Sequence, residues 1–154
     1  MNGIRIRAAE GGDEEALAEM MTLLWPDGGC KEHRDEAAAL IATGMCGTLP
    51  GAFLMAEDGE GRALGFLQVG LRSHADGCDV MQAVGFIEGW FVYPEAQRQG
   101  VGKRLMEAAE DWARAKGCVE VASDALAENS DSERAHCALG FEVVDRCVHF
   151  RKKL

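Results

Sequence analysis

The sequence predicts an α/β fold of the α+β kind: a mixed, mostly antiparallel central sheet flanked by helices. Three observations carry this. An alternating segment opens the chain and two helical stretches follow it. Three strand-like runs then succeed one another with short connections. A strand–helix–strand unit, a short helix and a final strand complete the order. Antiparallel runs followed by a crossover unit argue a mixed sheet with helices on both faces. For 154 residues one domain spanning 1–154 is expected, long enough to bury roughly two thirds of the unfolded surface.

The elements follow in order. "IRIRA" (4–8) alternates and reads as the first strand. "GGDEEALAEMMTLLW" (11–25) reads as a helix with Asp13 as N-cap and acids in its first turn; Ala16, Met20, Leu23 and Leu24 stand at helical spacing. "WPDGG" (25–29) breaks it, a second helix covers 32–45, and "GTLPG" (47–51) is a loop. "AFLMAED" (52–58) and "ALGFLQVGLRS" (63–73) read as an antiparallel pair across "GEGR", and "HADGCD" (74–79) as a polar loop. "VGFIEGWFVYP" (84–94) is apolar and aromatic, a central strand stopped by proline. A helix over about 100–116 places Val101, Leu105, Ala108, Ala109 and Trp112 on one face, with Gly117 as C-cap. "CVEVASD" (118–124) reads as a buried strand, 129–141 holds a short helix closed by Gly140, and "EVVDRCVHFRKK" (142–153) is the last strand.

The net charge of -10 argues against nucleic acid, which needs a basic face. It suits solubility, and equally a cationic ligand. Between 120 and 146 stand Glu120, Asp124, Glu128, Asp131, Glu133, Glu142 and Asp145, against Arg134 and Arg146. No apolar run approaches ~18 residues, so no membrane partner is expected. The opening "MNGIRIRAAEGGDEE" lacks the apolar region of a signal peptide, so a cytoplasmic protein is expected. The cysteines at 30, 46, 78, 118, 137 and 147 form no tight pair. They read as reduced thiols, several of them in the core, and no metal site is expected.

"EAQRQGVGKRL" (95–105) joins the central strand to the following helix. Exposed amides and the positive end of a helix dipole make such a turn an anion site. Glycines let the backbone approach the ligand closely, and Arg98 and Lys103 add charge. The phosphate loop GxxxxGK[ST] is absent, because Arg104 follows Gly102-Lys103 and no glycine stands five residues before Gly102. The dinucleotide pattern GxGxxG fails at Leu105. The plain alternative is a turn rich in glycine only because it is tight.

Gln97-Arg98-Gln99-Gly100-Val101-Gly102 resembles the Q/R-x-x-G-x-G/A signature of the GNAT acetyltransferases, and the element order resembles that fold over nearly the whole chain. The resemblance implies acetyl-coenzyme A as co-substrate. Arg98, Gln99, Gly100, Val101, Gly102 and Lys103 would hold its pyrophosphate, and Trp90, Phe91 and Val92 would offer backbone groups to its pantetheine arm. "LWP" (24–26), "GCD" (77–79), "FIEGWFVYP" (86–94), "KGCVEVASD" (116–124), "EN" (128–129) and "HCALGFE" (136–142) occur in the order found in aminoglycoside 6'-N-acetyltransferases. This branch implies acetyl transfer to an antibiotic's 6'-amine, hence resistance, and a homodimer. There are departures. His74 falls where the family often has tyrosine, and one extra residue stands before the Glu88 strand, which leaves the 74–85 loop and the substrate range open.

Acetyl transfer needs a neutral amine, a polarised carbonyl and two well-placed substrates. A polycationic sugar calls for carboxylates and an aromatic wall. Glu88 is the odd charge in an apolar strand, where a buried charge is expected to be paired. It stands two residues before Trp90, which places both on one sheet face. By resemblance Glu88 binds substrate amines, and Asp124 is the family's substrate carboxylate; a turn or cap role is the ordinary alternative. Trp25 would wall the sugar site, core packing being its alternative. Asp145 matches a further substrate carboxylate, and Asn129 would touch the cofactor. Many relatives place a tyrosine near the cofactor sulfur in the helix where His136 stands here; His136 could protonate the thiolate or simply pack. Two other functions fit as well. One is acetylation of a polyamine, another small amine or a peptide N-terminus. The other is a non-catalytic acyl-coenzyme A-binding module.

Overall fold

The structure, a computed structural model, describes residues 3–154; Met1 and Asn2, at the head of the stretch read as lacking a leader, lie outside the described residues. The chain runs β1 (Arg5–Ala8), α1 (Glu14–Leu24), α2 (Cys30–Thr43), β2 (Met45–Cys46), β3 (Leu49–Glu57), β4 (Ala63–Arg72), β5 (Val84–Val92), a 3-10 turn (Pro94–Ala96), α3 (Val101–Ala115), β6 (Val121–Ser123) and α4 (Ser130–Ala138). The sheet order is β1-β3-β4-β5-β6, with β2 pairing β3. All pairs are antiparallel except β5 with β6. This is the mixed sheet the element order predicts.

The sheet separates two cores. On one face Leu54, Leu67, Val69 and Ile87 pack against Val101, Leu105, Met106 and Ala109 of α3. On the other, Phe53, Met55 and Phe66 meet Leu17, Met20 and Met21 of α1 and Ala37 and Leu40 of α2. Alternation along β4 feeds both, with Phe66 on the α1/α2 side and Leu67 on the α3 side. The buried stripe of α1 is shifted from the expected one: Leu17 and Met21 are buried, while Leu23 is 61% exposed.

Asp13 stands at the N-cap of α1 but makes no capping bond. Its two carboxylate oxygens accept from Arg7 Nη1 and Nη2 at 2.7 and 2.8 Å, and Arg7 Nε donates to Glu57 at 2.9 Å. This half-buried triad ties β1, β3 and the start of α1 together. Arg7 holds the Asp13 carboxyl below its usual range, chiefly through these hydrogen bonds.

Other expectations need correction. The "GTLPG" segment is not wholly loop: β3 begins at Leu49, and Met45–Cys46 pairs back on it as a short flap. The strand expected over 118–124 is only Val121–Ser123 and is half-buried, because it has one neighbouring strand and an open outer edge. The last strand, expected over 142–153, does not form. Val144 lies against Gly77, but the apolar side chains further on stay open to solvent: Val148 is 75% and Phe150 92% exposed. Of the six cysteines only Cys118 is buried, where burial pushes its thiol up; four lie exposed, Cys30 on α2, Cys46 on the short β2, Cys137 on α4 and Cys147 in the terminal segment.

Candidate active site

The turn after β5 is built from backbone. Pro94 stops the strand, and Arg98 (φ 61°) and Gly100 (φ 83°) both adopt the left-handed conformation that turns the chain into α3. Gly100 is the N-cap residue, and Arg104 N–H donates to its carbonyl at 3.0 Å. The amides of 101–103 lie in the first helical turn and have no carbonyl four residues back within the helix. Gly102 has a separate reason to be glycine: a Cβ there would lie 3.1 Å from the Trp90 ring. Gln97 Nε2 donates to the Val92 carbonyl (3.1 Å) and Gln99 Nε2 to the Glu95 carbonyl (2.9 Å), bracing the turn. Arg98, Gln99 and Lys103 are exposed, Lys103 lying 3.8 Å from Glu107. The turn therefore offers free amides, a helix N-terminus and two cations, which fits a pyrophosphate.

Beside it the sheet forks. β5 and β6 pair only from Gly85↔Val121 to Ile87↔Ser123. β5 continues to Val92 with no strand on that edge among the described residues, so Trp90, Phe91 and Val92 face the gap with their backbones. One residue beyond the last pair stand Glu88 on β5 and Asp124 after β6.

A β-bulge decides where Glu88 points. Gln68 pairs with Gly89 but Val69 with Ile87, so Glu88 is an extra residue on β5. Before the bulge, Gly85 and Ile87 face α3. After it, Trp90 and Val92 do, while Phe91 faces α1. Glu88 and Gly89 thus fall together on the α1/α2 side. The expectation that Glu88 and Trp90 share a face is overturned, because strict alternation fails across a bulge. A Cβ on Gly89 would stand 2.5 Å from the Trp25 ring. The indole of Trp25 fills the missing side chain's place, next to Glu88. Trp25 also packs edge-on to Phe66 at 6.3 Å, so it serves the core and walls this site at once.

Glu88 has a partner that sequence reasoning missed. Arg72, the last residue of β4, donates Nε and Nη2 to its two oxygens at 2.9 and 2.8 Å. The Arg72 guanidinium lies 3.5 Å over the Phe86 ring. Glu88, and secondarily Asp124, raise its pKa against the opposing cost of burial. Arg72, Glu88 and Asp124 thus form one charge cluster at the fork. Nothing in "LRS" marks Arg72; only the antiparallel register brings it to Glu88. Asp124 is exposed.

On the opposite face His136 is well held. Its Nδ1 donates to the Ser132 carbonyl (2.7 Å), its Nε2 meets Ser123 Oγ (2.8 Å), and its ring packs edge-on to Trp90 and Phe141 at 5.2 Å each. Ser123, also missed from sequence, thus links the fork to α4. Asn129 caps α4, its side chain accepting from Ser132 N–H at 3.1 Å. His74 is exposed in the 73–83 connection and meets Ser73 Oγ at 3.3 Å. Asp145 is exposed in the terminal segment and accepts from the Arg146 amide; no hydrogen bond or ion pair joins it to Glu88 or Asp124. Two cavities of about 270 Å³ lie away from Glu88 and Asp124, one lined by Tyr93 and one beside Cys118. Among the described residues no His, Cys, Asp and Glu side chains cluster as a metal site would require, and no helix is long and apolar enough to cross a membrane.

A splayed sheet with an anion-binding turn at its fork defines an acyltransferase of the GNAT type. Residues 17–141 match the Acetyltransferase (GNAT) family, and the chain belongs to that family. Within it, the chain is closely related to aminoglycoside 6'-N-acetyltransferases. It is 44% identical over 149 residues to Aminoglycoside N(6')-acetyltransferase type 1 of Klebsiella aerogenes, covering 97% of this chain and 96% of that one. It is 37% identical to the enzyme of that name from Stenotrophomonas maltophilia, over 97% and 93% of the two chains. Among solved structures, AAC(6')-Iy in complex with the bisubstrate analogue CoA-S-monomethyl-acetylneamine superposes with a TM-score of 0.88 at 32% identity, covering 99% of both chains. AAC(6')-Ih from Acinetobacter baumannii does so with a TM-score of 0.87 at 31% identity, again over 99% of both.

Proposed function

We propose that this chain transfers the acetyl group of acetyl-coenzyme A to the 6'-amine of aminoglycoside antibiotics and so confers resistance. The observation that carries the reading is the placement of Glu88 and Asp124 one residue past the last β5–β6 pair, beside a complete pyrophosphate turn. Relatives named for this activity, and a superposable structure named for an acetylneamine–coenzyme A analogue, support it.

Bound acetyl-coenzyme A supplies an acetyl thioester. The chain's residues do the rest. The amides of 98–103, with Arg98 and Lys103, hold the pyrophosphate, the backbone of Trp90, Phe91 and Val92 aligns the pantetheine arm, and Asn129 borders it. Glu88 and Asp124 hold substrate ammonium groups, Trp25 walls the sugar ring, and His74 and Asp145 extend the acceptor surface. The neutral 6'-nitrogen attacks directly: an N–C bond forms, the C–S bond breaks, the nitrogen loses a proton toward the carboxylates or water, and the thiolate takes one up. His136 stands at the fork through Ser123, where it can supply that proton. Positioning of two substrates provides most of the acceleration.

The protein works in the cytoplasm as a homodimer. The open edge of β6 and the apolar, unpaired terminal segment, with Phe150 92% exposed, support association with a second copy. Sedimentation should give twice the chain mass, and truncation after Asp145 should return it to one.

The decisive assay is thiol release from acetyl-coenzyme A with kanamycin, with a kanamycin lacking the 6'-amine, and with spermidine. Turnover only with the 6'-amine is expected. Turnover with spermidine alone would replace the acceptor by a polyamine. Cofactor binding without any turnover would make the chain a binding module.

A further inference from the structure

Arg72 is a cation inside a site meant for cations. Its guanidinium engages both oxygens of Glu88 at 2.9 and 2.8 Å, the charge-assisted contacts a substrate ammonium would otherwise make. Phe86 holds it there, 3.5 Å below the guanidinium. Glu88 cannot avoid it, because the bulge turns that side chain to the Arg72 face. Asp124 stands one residue past the Ile87↔Ser123 pair, across the fork from Glu88. With Arg72 in place the three groups sum to one negative charge; without it they would sum to two.

We propose that Arg72 is a specificity-determining residue: it occupies the ammonium place on Glu88 until a polycationic acceptor displaces it. This rests on the acceptor reading above. The pair is accessible, with Arg72 44% and Glu88 28% exposed. Ion pairs this open are weak, equivalent to roughly a two- to five-fold factor in affinity. A polycation supplies one ammonium to Asp124 and a second to Glu88, and so wins the exchange. A monocation must compete for Glu88 without that anchor. Arg72 therefore filters acceptors by charge number.

The test is R72Q, which keeps a hydrogen-bond donor and removes the charge. KM for kanamycin is expected to fall roughly two- to five-fold with kcat little changed. The fall should be larger for 6-amino-6-deoxyglucose, which has one charge. The dependence of KM on salt should also steepen, because the site becomes more negative. A merely structural role for Arg72 would raise KM, so the sign separates the two. An unchanged or raised KM at unaltered cofactor affinity overturns the proposal. Calorimetric titration of kanamycin into the coenzyme A complex of both proteins keeps the outcomes distinct. Binding without transfer defeats the proposed function, while tighter binding by R72Q still sustains the role of Arg72. No binding by either protein overturns both.

Discussion

The two halves of the site are made of different material. The proposed cofactor turn, residues 95–103, is one contiguous segment that would work through backbone amides, shaped by Gly100 in the left-handed region and by Gly102 beneath Trp90. The centre of the proposed acceptor site is four side chains from four places: Trp25 at the end of α1, Arg72 at the end of β4, Glu88 on the β5 bulge and Asp124 after β6. β5 separates them, sending Trp90 to one face and Glu88 to the other. A site of amides depends on chain conformation. A site of charges depends on which side chains remain. Substitutions should therefore separate cofactor affinity from acceptor use, unless they strike the frame that both share.

The largest effect should come from that frame. Arg7→Met leaves the Asp13 and Glu57 carboxylates without their partner, each side chain no more than 13% exposed. Breaking a buried pair costs roughly 3–5 kcal/mol, so thermal unfolding should move down sharply and both sites should fail together. The same contact sets an acid limit. Arg7 depresses the folded Asp13 carboxyl, so its contribution is full above the unfolded value and is lost as pH falls through the lower folded one, below about 4. A wild-type melting temperature that falls in this range, with a flatter profile for Arg7→Met, is the expected result.

Next come the carboxylates. Glu88→Gln and Asp124→Asn should each lower kcat/KM for kanamycin about 10- to 100-fold, the worth of a charged hydrogen bond. Coenzyme A affinity by calorimetry should stay as in the wild type. Parallel loss of cofactor binding would erase the distinction between the two sites. Gly100→Ala tests the other half. A Cβ at φ 83° costs about 1–2 kcal/mol, so coenzyme A should bind roughly 5- to 30-fold more weakly, with acceptor KM at saturating cofactor little moved. The smallest effect is expected from His136→Gln. Thiolate is already a fair leaving group, so kcat should drop less than about tenfold, below the roughly 10²- to 10⁴-fold of a required acid–base group. A greater loss, with the acid limb of the pH profile removed, would make His136 an obligatory acid.

Much of the fold was legible because it is written in local pattern. The apolar period of α3, Pro94 after β5 and the glycines of the turn act on their immediate neighbours. The errors fall where a segment depends on what lies across from it. "GTLPG" extends β3 because β2 folds back on it. The terminal segment, with its strand-like alternation, finds no partner strand among the described residues. Leu23, apolar and at helical spacing, faces solvent because Leu17 and Met21 take the inner positions.

By itself the sequence determined most of the element order and the anion-binding turn, because these depend on conformations and spacings within a few residues; the residue types expected of an acetyl-transfer site came from resemblance to the family. Tertiary structure alone decided that Glu88 and Trp90 lie on opposite faces, that Trp25 occupies the space Gly89 leaves open, and that Arg72 meets Glu88. The reason is register. One extra residue opposite Gln68 and Val69 inverts every side chain beyond it. No local pattern in β5 shows where its partner strand makes that slip.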